Sequence, residues 1–490
     1  MPETIGTIIL TAAGGGFSIS GGLGASAGVG FLGFSASTTA TFVGSAAIIG
    51  ASIGLQYLLN HPNVPKPEEG SQPLKQATPP RQRGYWDCRL AGYYMLFENG
   101  NRDSQDVTAF HSGKVESIRH VYLHDQEVSV LPDVSGGGIG TVQTVGADQF
   151  AGGRVQVDFK LGATSQTAST LLTSDPNINS IWTSAYKGNG IAYGVLKCGA
   201  VVDPELYSRT YPQGLPLMSV VARCSPVWDS RDGSQDRNNP ATWVASPNPV
   251  LQLIDYLTTV DGGMGEDLDE ILPPERLAEW MTEANLCVGR YNSAGWYQFD
   301  NNPEEVVNKI LATCDGWMSE DGEGGLVLTV GVYREPTDPP LTEKHILGFS
   351  VNYGIADEQL INQLDVSFTD PALKYASRQI DPVRDEESIS LVGIVRAKPL
   401  DLSWVQDATQ AELLGERAML RLNPAKSGTL VTTPYGKRYL GKRWVKIQYP
   451  FVRGLEDCVV EIQDRAEVDL LGGTVTFNWN LIDPIALAAL

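Results

Sequence analysis

Hydrophobic and polar residues follow three different rhythms along this chain. The first runs from Thr4 to Asn60 without one charged side chain and is built of Gly, Ala, Ser, Thr and aliphatic residues. A second begins near Tyr85, where short alternating runs predict strands at 91–97, 118–123, 155–161 and 216–221. Glycine-rich breaks such as Gly136-Gly137-Gly138 separate them, the pattern of a barrel or sandwich. After Pro249 the period lengthens. Leu251, Ile254, Tyr256 and Leu257 begin one helix, and Leu277, Trp280, Met281 and Ala284 share a face of a second. Asn302-Pro303-Glu304-Glu305 opens a third, with an Asn cap, a Pro at the first position and early carboxylates. Strands return at 326–330 and 364–368, a further helix is predicted at about 408–422, and 444–447, 458–462 and 474–479 alternate again.

These rhythms predict an α+β fold, mainly β. They divide the chain into an uncharged Gly/Ala-rich segment over 1–60, a Pro-rich linker over 61–84 and a first β-rich domain with a β insertion over 85–245. A small α/β domain over 246–340 and a second β domain over 341–490, with one helix near 408–422, complete it. Length agrees, since 490 residues exceed what a single ordinary core organises.

The uncharged segment admits three readings: a resident membrane anchor, a latent membrane-active segment, or an apolar plug packed inside an oligomer. Its distal part, Phe42 to Leu59, just reaches bilayer-spanning length. Gly24/Gly28 and Gly50/Gly54 supply small-xxx-small spacings that let helices approach closely. The plug or membrane residues are therefore Gly24, Gly28, Phe42, Ile48, Ile49, Gly50, Ile53, Gly54 and Leu58. A signal peptide is rejected because Glu3, not a basic region, precedes a run about twice too long. No Lys or Arg precedes the run and Lys66 is the first after it, which speaks against an anchor.

Charge and motif content narrow the function. Thirty-six Lys+Arg against 57 Asp+Glu give a formal charge of −21, a surface that repels phosphate backbones. The six cysteines are scattered without a CxxC and read as reduced thiols. No nucleophile elbow, Walker loop, dinucleotide fingerprint or zincin helix stands in its proper context, so neither an enzyme nor a cofactor is expected. The acid pairs Glu266-Asp267, Asp269-Glu270 and Glu320-Asp321 lie in Gly-rich turns, where solvated charge is the default. Asp229, Asp232 and Asp236 hint at a calcium loop but miss the alternating spacing. The basic cluster Lys437, Arg438, Lys442, Arg443 and Lys446 is either a protein interface or a solvated strand face.

The order of several short motifs resembles the tail tip, or central tail hub, proteins of long-tailed phages, of the phage lambda protein J type. They are Arg81-Gln82-Arg83-Gly84-Tyr85-Trp86, then Gly190-Ile191-Ala192-Tyr193, then Val227-Trp228-Asp229-Ser230-Arg231. Asn248-Pro249 opening a helix that ends Ile254-Asp255-Tyr256-Leu257, Val288-Gly289-Arg290-Tyr291-Asn292 and the helix after Asn302-Pro303 follow. Ser230 stands where that family has Pro, and Trp228 where it has Tyr. The resemblance implies two tube-like β domains and a homotrimer that closes a tail tube and takes part in host attachment and DNA ejection. It implies as partners a tail tube or distal tail protein, the C-terminus of a tape-measure protein, tail fibre or receptor-binding proteins, DNA only in transit, and a host membrane during ejection. Asp229, Arg231, Asn248 and Pro249 are expected to form a structural turn. A gene-transfer-agent or prophage tail hub is the nearest alternative, and a tail-associated cell-wall hydrolase or a membrane-anchored β protein are alternatives of another class.

Overall fold

The computed structural model describes residues 52–60, 72–76, 78–100, 102–355, 360–463 and 466–490. The described residues are mainly β, 34% strand against 23% helix. Its buried apolar side chains gather into three principal cores and one satellite.

The first core lies between two antiparallel sheets. One has six strands in the order Tyr93–Gly100, Asp103–Ser112, Ile191–Cys198, Val155–Leu161, Gly138–Val142 and Val130–Leu131. The other has four, with Met218–Arg223 between Asp87–Leu90 and Ser117–Leu123, and Gln126–Val128 at its far edge. Alternation places Phe110, Val157, Phe159 and Leu196 against Val121 and Val220. The opposite face of the six-stranded sheet is covered by the chain itself: Leu172, Ile178 and Trp182 pack on Val107, Tyr193 and Val195.

The central core is helical and is assembled from distant stretches. It includes α1 (Gly54–Asn60), α2 (Pro249–Thr258), α3 (Pro274–Cys287), α4 (Pro303–Ala312) and α5 (Ala408–Leu422). Each of α2, α4 and α5 begins on an Asn or Asp whose side chain accepts a backbone N–H of the first turn: Asn248, Asn302 and Asp407. A four-stranded sheet built on Gln363–Asp370, with Ala397–Leu402 parallel to it, packs beneath α5.

Two domain boundaries are thereby corrected. Residues 360–422 do not belong to the second β domain: Leu364, Val366, Leu400, Leu402 and Leu414 share the central core with Trp280 and Ile310. The β domain proper is a seven-stranded sheet running from Leu341–Thr342 through Trp444–Gln448, Cys458–Ile462, Thr474–Leu481 and Lys426–Thr432 to Ile346–Tyr353, with Glu467–Asp469 beside Thr474–Leu481. Hydrophobic period identifies a helix but not which core that helix completes.

The second correction concerns the uncharged segment and the linker. Ser52–Ile53 pairs antiparallel with Trp317–Glu320, and α1 buries Leu55, Leu58 and Leu59 in the central core. A Cβ on Gly54 would lie 2.2 Å from the backbone N of Ala312, so glycine is required for α1 to meet α4 at this distance. Ile53, Gly54 and Leu58 are therefore part of the chain's own globular body and not of a free plug or membrane segment. Gly24, Gly28, Phe42, Ile48, Ile49 and Gly50 lie outside the described residues. Among the described residues no helix is long and apolar enough to cross a membrane. At the other end of the expected linker, Gln82–Tyr85 is a strand paired with Gly295–Gln298, not a spacer.

Candidate functional site

Where the three bodies meet, charged side chains do the joining. The strand Gln82–Tyr85 carries the first junction. Arg83 Nη2 donates to Asp255 of α2 at 2.7 Å and Tyr85 Oη donates to the same carboxylate at 2.8 Å. Beside them Tyr85, Tyr297 and Trp404 stack with ring centroids 6.2–6.5 Å apart, one ring from each of three segments distant in sequence.

The second junction is the turn after Val227. Both Asp229 oxygens accept from Arg231, at 2.8 and 2.7 Å, and Arg231 Nη1 reaches Asn285 of α3 at 2.8 Å. The Asp229 hydrogen bond holds the Arg231 guanidinium more firmly protonated than usual. Asn248 accepts from Val250 N at 3.1 Å and donates to Ala284 O at 2.8 Å, while Pro249 occupies the first helical position. Asn248 thus ties α2 to α3, and Arg231 ties the turn after Val227 to α3. Asp232 Oδ1 turns back on Ser234 and Asp236 Oδ1 on Asn238 N, so these carboxylates serve local turns. Among the described residues no group of three or more His, Cys, Asp or Glu could hold a metal ion.

The third junction was not anticipated. Asp315 follows α4 in the left-handed backbone region, φ 48°, and its carboxylate accepts from Arg417 Nε at 2.7 Å, Arg421 Nη1 at 2.8 Å and Arg443 Nη2 at 3.0 Å. Glu461 accepts from Arg421 Nε at 2.8 Å and Arg443 Nε at 2.7 Å. Asp315, Arg417 and Arg443 have side chains 0% exposed. Three guanidiniums around Asp315 hold its carboxyl well below the usual range, against the desolvation that would raise it. The network spans the central body, α5 and the second β domain. The sequence contained a signal for it: Arg417 and Arg421 fall on the same stripe of α5 as the buried Ala411, Leu414 and Ala418.

Arg443 is therefore corrected: it belongs to this buried network and cannot contribute to a surface interface. Lys437, Arg438 and Lys442 are exposed and Lys446 is half-buried. Lys442 lies 3.5 Å from Asp338 and Lys446 3.4 Å from Asp457, so the remaining cluster is partly neutralised. Of the acid pairs, Asp321 is held by Arg276 Nε at 2.8 Å, and Asp267 caps a short helix through Asp269 N at 2.9 Å.

Two of the sheets end on strands that carry exposed apolar side chains. Tyr93–Gly100 ends the six-stranded sheet; only Leu74 bridges its outer side, at Tyr93, among the described residues. Phe97 on this strand is 50% exposed. Ile346–Tyr353 ends the seven-stranded sheet, pairs only with Lys426–Thr432 among the described residues, and leaves Tyr353 70% exposed. Phe349 stacks edge-on with Tyr449 at 5.0 Å, and Tyr449 with the 74% exposed Phe451 at 5.4 Å. Long apolar edges of this kind are templates for pairing with another chain.

No protein-family model matches the sequence, and no curated protein matches it. A chain of the virion of a native gene transfer agent particle shares the fold: TM-score 0.54 at 13% identity, covering 89% of this chain and 93% of that one. A 43 kDa tail protein of prophage MuSo2 from Shewanella oneidensis aligns over 83% of this chain and 98% of that one, with TM-score 0.28 at 10% identity. A tail protein from Neisseria meningitidis MC58 covers 83% and 98%, with TM-score 0.30 at 11% identity.

Proposed function

We propose that the chain is a structural, non-catalytic virion protein: the central hub at the distal tip of a phage-type tail, working as a homotrimer that closes the tail tube and takes part in host attachment and DNA ejection. The observation that supports this best is the fold shared with a gene transfer agent virion chain along nearly the full length of both. Two β bodies per chain, each ending among the described residues on an apolar edge strand that is open over most or all of its length, suit a ring in which three chains present six sheets. The charge of −21 suits a conduit that DNA traverses without adhering. In this reading the edges meet neighbouring copies and tail tube or distal tail subunits, Lys437, Arg438, Lys442 and Lys446 face a partner protein, and fibre-type or receptor-binding proteins attach outside. Any plug contacting the tape-measure C-terminus or a host membrane lies upstream of Ser52, because Ser52–Ile53 is paired in a sheet and Leu55, Leu58 and Leu59 are buried in the core.

A gene-transfer-agent or prophage-derived particle is the second reading, favoured by the source of that same structure. Native mass spectrometry of the purified chain and cryo-electron microscopy of the particle tip test the proposal together. The expected result is a threefold ring with both edge strands in subunit contacts. A monomer in the particle, or a ring whose contacts avoid both edges, overturns the hub.

A further inference from the structure

One cavity lies apart from all these junction contacts except through Asp255. It occupies about 300 Å³ between the turn after Val227, α2 and the loop leading to Leu268. Trp228 and Trp243, with Ile254 and Leu268, form the apolar part of its wall. Trp243 is aimed by its own ring nitrogen, which donates to Asp236 O at 2.9 Å and leaves the indole faces free of polar work. Arg237, Thr258, Glu266 and Asp267 supply the polar part of the lining.

Two of the charges at this site are answered within the protein. Asp255 is taken by Arg83 and Tyr85, at 2.7 and 2.8 Å. Arg237 Nη1 is taken by Asp269 at 2.7 Å. Glu266 and Asp267 repel an anion, and an organic cation is the competing ligand class, opposed in the lining by the Arg237 guanidinium. What the pocket keeps is hydrogen-bonding capacity of both senses: the remaining N–H groups of Arg237, the second oxygen of Asp267 and the Thr258 hydroxyl oxygen, whose proton goes to Ile254 O at 2.8 Å.

We infer that this pocket binds a neutral saccharide, a pyranose ring laid against one or both indoles with its hydroxyl groups on Arg237, Asp267 and Thr258. A sugar is the neutral ligand class that joins an apolar C–H face to a rim of groups that both donate and accept. The cavity is of the size that small-molecule sites occupy. The inference does not depend on the trimer or on the particle to which the chain belongs.

Saturation-transfer NMR on the full chain with maltose, cellobiose and N,N′-diacetylchitobiose tests it, with choline as the cation probe. At least one sugar should show saturable transfer to its ring protons at millimolar concentration. Trp243→Ala should weaken that binding at least tenfold, and Trp243→Phe less. Arg237→Ala, at an exposed position, should weaken it several-fold while the far-ultraviolet circular dichroism stays unchanged. Absence of saturable transfer to all three sugars, tighter binding of choline than of any sugar, or full binding by both Trp243→Ala and Arg237→Ala would overturn the assignment.

Discussion

Two junctions in this protein use the same chemistry, carboxylate to guanidinium, with opposite degrees of enclosure. Asp229 and Arg231 pair at 2.7 Å with side chains 19% and 24% exposed. Asp315 and Arg417 pair at the same 2.7 Å with both at 0%. Water screens the first and stands ready to solvate either partner if the other is lost. No water replaces a partner in the second, so every member depends on all the others. The shortest N–O distance is equal; desolvation and the number of partners separate a local brace from a joint on which two domains depend.

The sharpest way to break this contrast is Asp315→Asn, which keeps size and removes charge. Three arginines would then face Glu461 alone, and unfolding free energy should fall by about 3–5 kcal/mol, read by urea denaturation. Replacing Asp315, Arg417, Arg421, Arg443 and Glu461 together by apolar residues of similar volume should cost less than that single change, because no charge is left stranded. Because the folded Asp315 carboxyl sits below its unfolded value, its contribution is complete above about pH 4 and is lost as pH falls further through the folded value.

His111 provides a smaller test, a buried group with no carboxylate partner among its hydrogen bonds. It lies against Gly113 O at 3.2 Å and Ser225 Oγ at 3.3 Å, and burial together with the Arg83 charge lowers its pKa to about 4. The unfolded chain binds a proton near pH 6.5 that the folded chain refuses, so stability should fall as pH drops through that window. The expected loss between about pH 7 and pH 5 is about 2 kcal/mol, absent in His111→Gln.

Arg231→Ala should cost about 1 kcal/mol, since Asp229 and Asn285 regain water, and it should lower folded yield modestly. An effect equal to that of Asp315→Asn would erase the distinction between the two junctions. The smallest change is expected from Lys442→Glu, within about 0.5 kcal/mol by thermal unfolding. If that basic face meets a partner, the same substitution should still reduce incorporation into particles, separating interface from stability.

Much of the local structure was legible because its causes are local. Asn302-Pro303-Glu304-Glu305 announces the start of α4 by capping chemistry, and Asn248-Pro249 announces α2 in the same way. Alternation marks 155–161 and 474–479 as strands because successive side chains must face opposite sides of a sheet. The Asp229–Arg231 contact is local in the same sense, both partners lying within one turn.

Partnership across the chain was not legible. Arg443 sits in a basic run and looks like its neighbours until the fold encloses it with Asp315, 128 residues away in sequence. Gly54 and Leu58 belong to a run that reads as a separate apolar segment until α4 is seen to offer a surface that only glycine can approach. Trp228 and Trp243 are ordinary aromatic residues in a loop until α2 and the following loop close a cavity around them. Composition, caps and period act over a few residues and are written into the chain directly. Enclosure depends on which distant surfaces exclude water from a given side chain, and that is decided only once the cores have formed.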